Sequence, residues 1–187
     1  MMPEPPAARS CIVAPVSGCS RRWRSALIAW VLHILELIAG IFGVGVGISR
    51  LPDAASALEV VTPTAVGVVG LLAFFRHFLF HESDAKRLGW ESIRPEFQYE
   101  VGFANLAFAL VALLAYFGGW AVAAQVAVVL GYSVYLLQAA LLHTWQSVYG
   151  EGRLRRLVQS ALPALAFSLL MIYLAVEAMI QAGLSLR

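Results

Sequence analysis

His33 and Glu36 stand three residues apart inside a long apolar run of this 187-residue chain. On a helix, residues i and i+3 share a face. At 1.5 Å per residue, the pair lies roughly 12–17 Å in from Ser25. An imidazole beside a carboxylate can relay a proton or bind a ligand. It can equally hydrogen-bond as a neutral pair and tie helices together. A second set gathers further along: His77, His81, Glu82 and Asp84, then Gln98, Glu100 and Asn105, then His143. Meeting at one place, these side chains could bind a metal or an anionic head group, or form a polar network that fixes helices. Zinc accepts imidazole and carboxylate ligands. Chain order does not constrain spacing between different helices, so the alternatives stay open, and the sequence specifies neither a metal nor a cofactor.

The elements that must position these residues are set by composition. Sixty per cent of the chain is hydrophobic and 13% is charged, where soluble domains carry about 25% charged residues. A water-soluble fold of this size could not cover so much apolar surface, so its main solvent is lipid. Ionisable groups inside a membrane segment cost about 2.5–3.5 kcal/mol each on insertion scales, which makes them the first functional suspects. The net charge of +2 argues nothing about nucleic acid, and no nucleic-acid partner is expected. Lys86 is the one lysine beside many arginines, and Ala and Val are abundant, as in a GC-rich bacterial genome. Cys11 and Cys19 have no metal or redox spacing.

The expected architecture is an all-α, polytopic transmembrane bundle. Residues 1–24, rich in Pro, Ala, Ser and Arg, read as a disordered basic tail. Five apolar stretches follow, at 25–48, 60–80, 101–117, 120–143 and 157–180. A span needs about 20 such residues, so the run from 101 to 143 must be a hairpin turning at Gly118 and Gly119. Backbone polar groups in lipid must be satisfied within the segment, which forces helices. Pro63 is expected in the first turn of the second helix, where its missing N–H is harmless. Pro163, about two turns into the fifth, should bend it. Five crossings put eleven Lys and Arg residues on one side, from Arg9 through Arg156, and only Arg50 and Arg187 on the other. By the positive-inside rule the N-terminus is cytoplasmic, in a bacterial inner membrane.

Arg21 and Arg22 before an apolar run resemble a twin-arginine signal, and Ala55-Ser56-Ala57 resembles a signal-peptidase site. His33, Glu36 and the length of the run favour a retained anchor; removal would leave four helices. Val16 through Cys19 looks like an acylation site, but the apolar run before it is too short. Gly43, Gly45, Gly47, Gly67 and Gly70 read as helix-packing positions. Trp90, Trp120 and Trp145 read as interfacial anchors. Glu59, Glu177 and Arg50 read as solvated residues or an ion pair at the far boundary.

One stretch carries a resemblance. His77, Glu82, Ala85, Gly89-Trp90, Phe97-Gln98 and the run Glu100 to Leu106 (Glu-Val-Gly-Phe-Ala-Asn-Leu) resemble a family of small prokaryotic membrane proteins described only as a domain of unknown function. His143, after Ala139-Ala140, resembles a later family position. The likeness spans about 60–180. Arg76 departs from it, where a small residue is expected, and so does the longer segment 92–96. The resemblance implies a polytopic membrane protein, with no activity attached.

Three functions follow in rank. The first is binding or transport of a small molecule, proton or ion, with His33, Glu36, Glu100, Asn105 and His143 facing one polar cavity. A homo-oligomer then suits so small a bundle. The second is a structural or assembly subunit of a membrane complex. The third is an enzyme acting on lipid or quinone; no nucleophile–base motif, Walker loop or complete metal signature supports it.

Overall fold

The computed structural model describes residues 16–88, 95–149 and 157–184, and all regular structure among them is helical. α1 is Val16–Ser49. α2 is Ala54–Leu79, built from an α-helical start (Ala54–Val61), a π-helical stretch (Thr62–Val68) and an α-helical end (Val69–Leu79). A short α3, His81–Leu88, follows Phe80. α4 is Glu96–Phe117 and α5 is Val122–Tyr149. α6 is Leu162–Gln181, preceded by a π turn at Leu157–Ala161. Five helices, α3 excepted, are long and apolar enough to cross a membrane. The result is the all-α bundle expected of a multi-pass membrane protein.

Several boundaries differ from the sequence reading. Residues 16–24 continue α1 instead of belonging to a tail; no proline interrupts them. α2 starts six residues before Val60 because Asp53 caps it, its carboxylate accepting from the backbone N–H of Ala55 and Ser56. Pro63 therefore lies well inside α2 rather than in its first turn. A proline there removes a hydrogen bond and crowds the preceding turn. The wider π-helical turn at Thr62–Val68 accommodates it. The π turn before Pro163 shows the same response.

Two pairings dominate: α2 packs along α4, and α5 along α6, while α1 lies against α2. In lipid, close approach needs small residues. A Cβ added to Gly70 would stand 2.9 Å from the carbonyl oxygen of Asn105, so α2 and α4 touch at backbone distance. Gly43 likewise lies against the Ala65 backbone of α2, and Gly47 against the Val61 side chain. The inward face of α4 runs Gln98, Gly102, Asn105, Ala109, Ala112, Ala115, a helical seam of small and amide residues. Gly119 takes φ +59° in the turn between α4 and α5, a left-handed conformation that glycine adopts freely.

The bundle has two ends. The turn end holds the α1–α2 and α4–α5 connections. The basic end holds Arg24, α3, the start of α4 and the end of α5. Trp120 and Trp145 are exposed at opposite ends of α5, as interfacial anchors should be. Trp90 and the basic residues of 89–94 and 150–156 lie outside the described residues.

Candidate functional site

Toward the basic end, five ionisable side chains from three helices form one buried array. At its centre is Arg76, near the end of α2. Its Nε donates to Glu36 Oε1 of α1 at 2.8 Å, and its Nη1 donates to Asp84 Oδ1 of α3 at 2.6 Å. Each carboxylate then meets a histidine. His33 Nδ1 stands 3.6 Å from Glu36 Oε2, and His77 Nδ1 stands 3.1 Å from Asp84 Oδ2. The order is His33, Glu36, Arg76, Asp84, His77. The Asp84 side chain is fully buried, and those of Arg76 and Glu36 are 9% and 10% exposed.

Local structure explains the convergence. α2 stops at Leu79 because Phe80 leaves helical geometry, with φ −118° and ψ 25°. The chain then re-enters a helix in a new direction, and α3 folds back against α1 and α2. Ser83 Oγ donates to Ser25 Oγ at 3.1 Å, fixing α3 against α1. Asp84 and Ala85 face inward with no exposed area, while Glu82 and Lys86 remain exposed. The break also separates His77 from His81. The two do not share one continuous helix; His81 packs edge-on against Tyr99 of α4.

The electrostatics are unbalanced by one charge. Two carboxylates face one guanidinium, so with both histidines neutral the array carries one net negative charge. In a low-dielectric interior such an excess is costly. One added proton removes it. Each histidine presents Nδ1 to a carboxylate oxygen, at ion-pair distance rather than in aligned hydrogen-bond geometry.

A second network adjoins the first. Tyr132 Oη of α5 donates to Asn105 Oδ1 of α4 at 3.0 Å. Asn105 Nδ2 donates to the Val101 carbonyl at 2.8 Å and to Tyr135 Oη at 3.0 Å. Tyr132 is within electrostatic reach of Glu36 and Arg76, and Tyr135 of Arg76. Asn105 thereby joins α4 to α5 beside the array.

The residues singled out from sequence divide accordingly. His33, Glu36 and His77 join the array, and Asn105 joins the tyrosines. Gln98 is buried on α4, and its Oε1 accepts no hydrogen bond from the described residues. Glu82 and Glu100 are exposed, so neither shares the buried site of His77. Glu100 is also a turn past the start of α4, and Glu96 occupies the first turn near the positive end of the helix dipole. His143 is partly buried near the end of α5, with interactions of its own. Among the described residues no group of three His, Cys, Asp or Glu is arranged to hold a metal. Glu59 and Arg50 are exposed at the turn end. An open groove between α1 and α2, lined by Leu35, Ile38, Phe42, Thr64, Val68 and Leu72, is apolar.

Sequence reasoning missed Arg76 as a site residue and named Asp84 only as one member of the second set. Arg76 was counted among the topology-setting charges, yet it lies within an apolar run that another run answers with Glu36. That pairing was the available signal. Nothing in the polar stretch around Asp84 singles it out before α3 is seen to fold back.

Fold and site together define an all-helical, multi-pass membrane protein with a charged array buried at one end. The chain belongs to DUF6790, a family of unknown function, whose model matches residues 26–181. That span takes in the whole array, including His33 and Glu36 of the first helix. No curated protein and no solved structure matches the chain.

Proposed function

We propose that this protein binds and releases a proton within the membrane, with the five-residue array as the binding site. The carrying observation is the count of charges around Arg76: two buried carboxylates on one guanidinium, with an imidazole beside each carboxylate. One proton neutralises the array and can reside on either histidine. A second proton would leave it positive, so uptake stops at one. Histidine is the side chain whose ordinary range makes this exchange possible near neutral pH. Small-ion handling is favoured over small-molecule binding because the polar atoms are engaged with one another rather than lining a chamber.

The basic end is read as cytoplasmic, in a bacterial inner membrane. Arg76 belongs to the array, and removing it from the eleven basic residues on that side leaves ten against two, still a positive-inside pattern.

Proton uptake by the purified protein in lipid nanodiscs tests the reading. Uptake between about pH 8 and pH 5, where histidines titrate, is compared with that of a His33→Gln/His77→Gln variant. The difference expected is one proton per chain. A difference of two means independently solvated histidines. No difference means an array that only locks helices together, the structural reading.

A further inference from the structure

The array is covered very differently on its two sides. Toward the turn end, the inward side chains are Ala65 and Val66 of α2, Ala109 and Ala112 of α4, and Val126 and Val129 of α5, all buried. The next side-chain pair linking helices in that direction is Thr62 with Gln125, hydrogen-bonded at 3.1 Å. Thr62 is about 20 Å from Arg76 along α2, at 1.5 Å per residue. The buried hydroxyls of Ser133 and Ser168 turn back onto the carbonyls of Val129 and Leu165 within their own helices. They offer no continuous relay through this hydrocarbon.

Toward the basic end, the cover among the described residues is α3. It is eight residues long and separated from α2 by the break at Phe80. Polar contacts hold it: Ser83 to Ser25, and Asp84 to Arg76 and His77. Asp84 is both a member of the array and the anchor of its cover. Among the described residues, the titratable groups facing the site are His33 and Glu36 from α1, Arg76 and His77 from α2, Asp84 from α3, and Tyr132 and Tyr135 from α5. Glu82 and Lys86 of α3 and Glu100 of α4 are on exposed surface.

We infer that the array exchanges its proton with one side of the membrane only, through movement of α3, so that the protein senses the pH of that compartment and does not carry protons across. This rests on the proton-binding reading above. Protonation of a histidine neutralises the array and weakens the demand of Arg76 on Asp84, which couples occupancy to the position of α3. α3 is the moving part, Phe80 its hinge, and the Ser25–Ser83 contact its latch.

A reversible latch tests this in the full-length protein. Cys11 and Cys19 are replaced by serine, and Ser25→Cys/Ser83→Cys is introduced, where the native hydroxyls are 3.1 Å apart. In nanodiscs, the oxidised variant should take up the array proton after a pH jump at least about tenfold more slowly than the reduced variant, the effect of a clearly stabilised closed state. Reduction should restore the rate. Proteoliposomes with an entrapped pH dye should show no protein-dependent flux. Equal rates in the oxidised and reduced protein would overturn the gate. Flux that Glu36→Gln abolishes would overturn one-sided access. If the disulfide does not close, Asp84→Asn supplies the test: amide exchange across 81–88 should rise, and unchanged exchange refutes the gate. Failure of the underlying reading looks different, because the reduced protein then takes up no more protons than His33→Gln/His77→Gln.

Discussion

The two ends of the bundle are held by different physics. At the turn end, Leu58, Val61, Val66, Val129, Met171 and Leu174 fill the space between helices and are essentially inaccessible. In lipid that packing is stabilised by dispersion and close fit rather than by escape from water. At the basic end, a single guanidinium bridges carboxylates from two other elements, and each carboxylate faces an imidazole. Apolar contacts do not register a proton. The array's net charge, minus one with both histidines neutral, would become zero with one proton gained. The comparison teaches where this molecule can respond to its surroundings and where it only holds its shape.

The strongest way to break the comparison is to remove Arg76. Arg76→Met leaves Glu36 and Asp84 buried without a cation. Breaking a buried pair in this way costs about 3–5 kcal/mol, which should appear as a large loss of resistance to denaturation in detergent. Adding Glu36→Gln and Asp84→Asn to the same chain removes both stranded charges and should recover most of that loss. If Arg76→Met unfolds like the wild type, the ionic end holds nothing.

The matching experiment at the other end is Met171→Ala. Met171 has no exposed area within the apolar core. Truncation should cost about 2–5 kcal/mol as a cavity. The loss should be the same at about pH 5 and pH 8, across the histidine range. A pH-dependent loss would show that the apolar end feels the array.

Tyr132 stands between the two regimes. Tyr132→Phe removes the donor to Asn105 Oδ1 and leaves a buried acceptor unsatisfied, a loss of about 1–3 kcal/mol. Because Tyr132 only adjoins the array, the one-proton uptake should persist. Its disappearance would extend the proton site onto α5.

Much of this was legible in the sequence, for definite reasons. Apolar runs of spanning length determine helices because lipid offers the backbone no other partners. His33 and Glu36 stood out because ionisable groups are rare in such runs. What was not legible depended on tertiary contact. The capping oxygen of Asp53 extends α2 to Ala54, so Pro63 falls inside it. Phe80 breaks the helix and lets α3 turn back, which no periodicity in the polar residues 81–88 announces. Arg76 looked like a departure from a family pattern and proves to be the hub, since its partners come from helices 40 residues before it and 8 residues after it. Glu100 shows the opposite error: its place in a motif suggested a site, and its exposure denies it a share in the array.

The smallest effect sharpens the contrast most. Thr62 Oγ1 donates to Gln125 Oε1 at 3.1 Å, and Gln125 Nε2 donates to the Trp120 carbonyl at 2.9 Å. This is the side-chain polar link between α2 and α5 at the turn end. Thr62→Val keeps the shape of the side chain within the π-helical stretch and deletes only the hydroxyl. Gln125 is partly exposed, so water can replace the lost donor. The cost should then be about 0.5–1.5 kcal/mol, the net worth of one ordinary hydrogen bond, measured by the same unfolding assay. A loss as large as that of Arg76→Met would mean that the turn end has a polar lock of its own. The two ends would then differ in charge, not in the kind of force that holds them.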